Sequence, residues 1–221
     1  MEAKGSIVKD GYHDTFDQND PDEPELWAGW SPSQKLSKDT ATCAAVCFDD
    51  LRTRFPNMPW KANLELRCGT KPYAGGQSTH TQDWRRHTVL FNCDYGSIWP
   101  GVGLGKANYC HNDSRFPFDT LRHEMGHALM SGQLPNGKRM ITKWHDAMTA
   151  AYGNPARDLE AFAGKYVSSY AVTQKGHVFS MAECLSECFS LATSPDYKPG
   201  YLPEPVEDFI FKEMLGVQPI P

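Results

Sequence analysis

The segment FPFDTLRHEMGHALMSG, residues 116–132, decides the fold expected for this chain. It contains the HExxH pattern as His123, Glu124 and His127. Side chains four residues apart in a helix lie about one turn from each other, so both imidazoles can reach one divalent ion. Glu124 can then reach a water bound to that ion. The spacing therefore predicts a helix over residues 117–131 that carries a Zn2+ site.

The apolar residues of this helix lie on the face opposite the two histidines. They are Leu121, Met125, Ala128 and Leu129. Pro117 suits a first helical turn, and Gly132 suits the end of the helix. We therefore expect one face to pack against a sheet while the histidine face lines a cleft.

A catalytic zinc ion takes three protein ligands and leaves one position for water, so a third ligand has to come from another segment. The metzincin pattern requires histidine at position 133, and Gln133 excludes it. Asp146, beside His145, stands where an aminopeptidase-like arrangement has glutamate, but nothing else in the sequence favours this shorter carboxylate.

Glu183 and Glu187 repeat the four-residue step on a second helix, predicted over residues 180–192. One carboxylate can bind the metal, and the other can orient a histidine ring. We expect Glu183 to be the ligand and Glu187 to be the orienting group or the substitute ligand. The alternative is a capping box, in which Glu183 only satisfies the backbone amide of Ser180.

These motifs resemble the catalytic domain of the anthrax lethal factor family, which are zinc metallopeptidases of the gluzincin type. The likeness covers residues 115–194 and includes HEMGH, a Ser-Tyr pair and an E-x-x-x-E helix that ends in Phe. It implies a zincin-like fold in which His123, His127 and Glu183 bind Zn2+. It also implies that Glu124 is the general base, that Glu187 lies behind the ligands and that Tyr170 stabilises the oxyanion. The Tyr-to-Glu connection is longer than in that family, so Tyr166 and His177 are alternatives to Tyr170.

Composition limits the class of protein. The 221 residues are 40% hydrophobic with a net charge of −5 and scattered basic residues, which argues against a nucleic-acid partner. No apolar run reaches the roughly 18 residues of a membrane span. The N-terminus lacks a secretory signal, so we expect a cytoplasmic protein or one exported by a non-classical route. The seven cysteines are expected to be mostly reduced thiols.

The chain divides into an acidic arm and one domain. Residues 14–25 hold six acidic residues and two prolines, so residues 1–30 are predicted to be a flexible arm and residues 31–221 the domain. Strands are predicted over residues 62–68, 86–93 and 106–111. Further helices are predicted over residues 34–55, 139–152, 156–167 and 204–215. Strands before helices indicate an α+β class with a small mixed sheet.

These patterns together predict a zinc-dependent endopeptidase with a protein or peptide substrate. Glu124 would take a proton from the zinc-activated water, and the strand over 86–93 or 106–111 would align the substrate by edge pairing. Two other functions fit the same residues. One is a non-catalytic zinc or interaction module, as in a toxin or virion component, and the other is a zinc hydrolase that acts on a non-peptide amide.

Overall fold

The computed structural model describes backbone and side chains for part of the chain. These residues are 50–58, 122–130, 138–154, 156–167, 179–195 and 197–217. For residues 26–29, 63–69, 76–80, 86–92 and 119–121 it describes the backbone alone. The predicted strand over 106–111, most of the predicted helix over 34–55, and Tyr170 and His177 lie outside the described residues.

Six helices are described in this part of the chain. Helix α1 covers residues 50–54, α2 is Asp119–Met130, α3 is Met140–Tyr152, α4 is Arg157–Phe162, α5 is Met181–Ala192 and α6 is Glu204–Asp208. Helix α4 continues as a π-helical turn, Ala163–Val167, and α6 continues as Phe209–Met214. The helices predicted from residue 117 onward are confirmed, with ends that differ by one or two residues.

Local chemistry explains where two of these helices begin or end. The Ser180 hydroxyl caps α5 by accepting a hydrogen bond from the Glu183 amide at 3.2 Å. Helix α3 ends at Gly153, which has a φ of 76° and whose N–H donates to the Thr149 carbonyl at 2.9 Å. Glycine is favoured there because a side chain strains this left-handed conformation.

The core is centred on Trp144 of α3, which is fully buried. Its ring meets Phe209 edge to face with centroids 5.1 Å apart. Its indole N–H donates to the Met181 carbonyl at 2.9 Å, which holds the first turn of α5 against α3. Leu185 and Phe189 of α5 are also fully buried, so one face of this helix packs into the core. The start of α5, where Glu183 lies, is thereby positioned by the core.

The predicted fold class, α+β and zincin-like with a small mixed sheet, is corrected to a helical core. Among the residues whose side chains are described, 72% are helical and none lies in a strand. The buried apolar residues of this part come from the helices and the segments flanking them. The physical reason is that the apolar faces of α3, α5 and α6 pack on one another and form this part of the core from helices, whereas the prediction relied on a sheet packed against the helix over residues 117–131.

Outside this helical core, four short segments pair as strands, described by their backbone. They are β1 (Leu26–Gly29), β2 (Asn63–Gly69), β3 (Gly76–His80) and β4 (Arg86–Asn92), in the order β1-β2-β4-β3. The first two pairings are parallel, and β3 runs antiparallel to β4. Strands β2 and β4 match predicted segments, whereas β1 lies within the predicted flexible arm and β3 lies between two predicted strands. Because β4 is paired on both sides, it cannot align a substrate by edge pairing.

A charged cluster connects α1 to the two helices of the candidate site. Arg54 donates to Asp50 in the same helix, with Nε 2.9 Å from Oδ1, and also to the Thr193 carbonyl at the end of α5. Arg122, the buried neighbour of His123, has Nη2 3.6 Å from Asp50 Oδ2. These contacts hold the first turn of α2 and the end of α5 against the same short helix.

Two further predictions bear on described residues. Cys184 and Cys188 of α5, two of the cysteines expected to be mostly reduced, are buried free thiols. Among the described helices, none has the length and apolar character needed to cross a membrane.

Candidate metal centre

Helices α2 and α5 bring three possible metal ligands to one point. The Nε2 atoms of His123 and His127 are 3.1 Å apart, and Oε2 of Glu183 lies 3.2 Å from each of them. Among the described residues, these three form a group whose donor atoms are close enough to hold one metal ion. The four-residue spacing in α2 provides two corners of the triangle, and the packing of α5 provides the third.

The size of the triangle fits a small divalent ion. Donor atoms about 2.0–2.1 Å from a tetrahedral ion lie about 3.3–3.4 Å from one another. The observed separations of 3.1–3.2 Å are within a few tenths of an ångström of that spacing. The donor atoms therefore need little rearrangement to coordinate an ion of this size.

The three side chains of the triangle differ in their exposure to solvent. His123 is 8% exposed, whereas Glu183 is 18% and His127 is 21% exposed. His127 and Glu183 are therefore partly exposed to solvent, whereas His123 is nearly enclosed.

Glu187 lies behind His123. Its side chain is fully buried, and Oε1 is 2.8 Å from Nδ1 of His123, the ring nitrogen turned away from the triangle. Among the described residues, neither carboxylate oxygen of Glu187 has a partner with hydrogen-bond alignment, so its interaction with the ring is chiefly electrostatic. A carboxylate in this position favours a proton on Nδ1 and leaves the Nε2 lone pair for a metal.

The charges around the histidines favour a cation. Burial by itself lowers the pKa of His123, but the Glu187 charge, the contacts with both glutamates and the Glu124 charge together raise it well above its ordinary value. Burial acts to raise the pKa of Glu183, but its contacts with the two histidines hold it well below its ordinary value. Without a metal ion, a proton on His123 balances the carboxylates, and a divalent ion can replace that proton.

Glu124, the predicted general base, is buried on α2 with an exposure of 5%. Its charge contributes to the raised pKa of His123, which places the carboxylate within electrostatic range of the ligand cluster. A carboxylate in such an enclosed position is poorly hydrated, and this strengthens its interaction with a proton or a cation nearby.

Glu183 serves as a cap partner and as a site residue through different atoms. Its backbone N–H donates to the Ser180 hydroxyl, whereas its carboxylate contacts both histidines. The two interpretations of the S-x-x-E sequence are therefore compatible. The arrangement favours Glu183 over Glu187 as a third ligand, because Glu187 contacts the opposite nitrogen of His123.

The other sequence candidates lie elsewhere or outside the described residues. Asp146 is exposed on α3 with Oδ2 3.5 Å from Lys138 Nζ, and His145 is exposed beside it. Tyr166 is 42% exposed, and its ring lies against Phe162 with centroids 5.2 Å apart. Tyr170, His177 and Gln133 lie outside the described residues.

Three residues that the sequence analysis did not single out also shape the site. Gly126 and Ser186 lie where α2 and α5 contact, and Arg122 is buried next to His123. Gly126 and Ser186 are small residues that lie three positions after His123 and Glu183, respectively. This spacing places each of them on the ligand face of its helix, but it does not identify the partner of that face.

Comparison of the chain with protein-family models, with curated proteins and with solved structures gave no match.

Proposed function

We propose that this protein is a zinc-dependent endopeptidase of the gluzincin type, with His123, His127 and Glu183 as its metal ligands. The observation that carries the proposal is the convergence of these three donor atoms at separations of 3.1–3.2 Å, with the side chains of His127 and Glu183 partly exposed to solvent. Two imidazoles and one carboxylate with an open fourth position are typical of catalytic zinc sites, whereas structural sites are usually closed by four protein ligands.

The donor types favour zinc over the other common divalent cations. Magnesium and calcium prefer six or more oxygen ligands, and this site offers two nitrogens and one oxygen. When bound, zinc acidifies a coordinated water and polarises the carbonyl of the substrate. Glu187 holds the His123 ring in the tautomer that presents Nε2 to the metal.

Glu124 carries the proton transfers. Its carboxylate accepts a proton from the attacking water and then delivers it to the nitrogen of the leaving amine. The buried position of Glu124 suits this role because few waters compete for the carboxylate. We further propose that Tyr170 donates a hydrogen bond to the developing oxyanion, with Tyr166 and His177 as alternatives.

The test separates catalysis from metal binding with the isosteric variant Glu124→Gln. We expect this variant to bind one zinc ion and to keep the helical circular dichroism of the unmodified protein. Its rate of cleavage of a denatured, labelled protein is expected to fall by about 10²–10⁴-fold, the usual contribution of a general base. Asp146→Asn is the matched control, because Asp146 is an exposed carboxylate outside the ligand cluster.

Three outcomes would count against the proposal in different ways. Equal cleavage by Glu124→Gln and the unmodified protein would remove Glu124 from the chemistry. Zinc binding without cleavage of a broad peptide library would favour the non-catalytic module. Hydrolysis of acyl-amide compounds in place of peptides would favour the hydrolase with a non-peptide substrate.

A further inference from the structure

The two helices of the site carry the same spacing on their facing sides. Helix α2 has His123, Gly126 and His127, and α5 has Glu183, Ser186 and Glu187, so each has ligand-type residues at positions i and i+4 with a small residue at i+3. Residues with this spacing share one face of a helix. The small residues therefore lie between the side chains that form the site.

At Gly126 the two helices are in direct contact. A Cβ atom added to this glycine would lie 3.1 Å from the Cα of Ser186 and 3.3 Å from Cδ1 of Phe189. The nearer atom belongs to the backbone of α5, so no change of side-chain rotamer can relieve that contact. Any side chain at position 126 has to move α5 away from α2 by a few tenths of an ångström.

Such a movement changes the ligand triangle unequally. The separation of 3.1 Å between the two histidine nitrogens is set within α2 and is not affected. The two separations of 3.2 Å to Glu183 span the two helices and increase with their distance. The contact between Nδ1 of His123 and Glu187 also spans the two helices.

We propose that Gly126 is a positioning residue whose absent side chain sets the distance between the histidine pair and Glu183, and thereby makes the site selective for small divalent ions. The inference rests on the metal centre of the proposed function. Glycine is an unfavourable residue inside a helix compared with alanine, so its presence between the two ligands calls for a packing reason. The contact with Ser186 supplies that reason.

The test measures the affinities of the apo-protein for Zn2+ and for the larger ion Cd2+ by competition with a chromophoric chelator. In Gly126→Ala the ratio of the Zn2+ affinity to the Cd2+ affinity is expected to fall by about 10-fold, the lower end of the effect seen when groups that orient metal ligands are changed. The ratio falls because the wider triangle fits the larger ion better. The ratio of the two affinities is the readout, and no enzymatic activity is needed.

Two controls separate positioning from a general loss of stability. Ser186→Ala changes the same helix contact without adding an atom, so its Zn2+ to Cd2+ affinity ratio is expected to equal that of the unmodified protein. Leu159→Val shortens a fully buried side chain on α4 and is expected to lower the unfolding temperature without changing the ratio. Ser186→Val widens the contact from α5 and replaces Gly126→Ala if the latter does not fold.

The outcomes distinguish this inference from the proposed function. An unchanged affinity ratio in Gly126→Ala, or in Ser186→Val if that variant is used, would overturn the role of the helix contact while leaving the metal centre in place. A shift of the same size in Leu159→Val would also overturn it, because selectivity would then follow stability. Failure of the unmodified protein to bind either ion would overturn the metal centre and this inference together.

Discussion

Replacing Glu183 with glutamine separates its two contacts, because glutamine has the same shape and keeps the backbone N–H that donates to Ser180. The change removes the negative charge of the carboxylate, whose Oε2 lies 3.2 Å from both histidine nitrogens, and replaces one carboxylate oxygen with an NH2 group. We expect Glu183→Gln to bind zinc far more weakly and to retain helix α5. Ser180→Ala is the complementary variant, since it removes the cap and leaves the carboxylate.

The expected losses of zinc affinity and of stability follow from the contacts of Glu183 and Ser180. Zinc sites bind with roughly 10–16 kcal/mol at neutral pH, so an equal share for each of three protein ligands is about 3–5 kcal/mol. That corresponds to a loss of affinity of about 10²–10⁴-fold. Ser180→Ala is expected to lower the stability of the apo-protein by about 1 kcal/mol, the usual value of an N-cap, with little change in zinc affinity.

The assay combines a competitive zinc titration with urea unfolding of the apo-protein. Glu183→Gln should change mainly the titration, and Ser180→Ala should change mainly the unfolding curve. If Glu183→Gln kept full zinc affinity and lost only stability, Glu183 would be a capping residue and the proposed ligand set would be wrong. Equal losses of zinc affinity in the two variants would show that helix formation, not the carboxylate, controls binding.

Two further predictions concern Glu187 and Tyr197. Glu187→Gln is expected to weaken zinc binding by about 10–100-fold because it removes the buried charge beside Nδ1 of His123, and Glu213→Gln, at an exposed site, serves as the control in the same titration. Unchanged affinity in Glu187→Gln would contradict the orienting role. Burial and the contact of its hydroxyl with Glu207 raise the pKa of Tyr197 in the folded protein. The stability that neutral Tyr197 contributes is therefore present below about pH 10, the pKa of an unfolded tyrosine, and is lost as the pH rises toward the pKa of the folded protein. The free energy of unfolding of Tyr197→Phe, measured in urea, should therefore fall less between about pH 8 and pH 10.5 than that of the unmodified protein. Equal losses would contradict the raised pKa of Tyr197.

Helix positions and the two ligand pairs were predictable because they depend on local spacing. His123 and His127 lie one turn apart in any helix, and the same holds for Glu183 and Glu187. Leu185 and Phe189, which are both buried, likewise lie one turn apart on α5. The strands β1 and β3 were missed because Leu26–Gly29 and Gly76–His80 are short and lie beside acidic or glycine-rich segments.

The sequence by itself determined which residues share a helical face, because the backbone geometry of a helix repeats every 3.6 residues whatever surrounds it. It did not determine which faces meet. The helical core in place of a sheet-backed one, the position of Glu183 at the two Nε2 atoms and that of Glu187 behind His123 were decided by the packing of α2 against α5. That packing depends on contacts between residues about 60 positions apart, such as Gly126 with Ser186, and local spacing carries no information about such contacts.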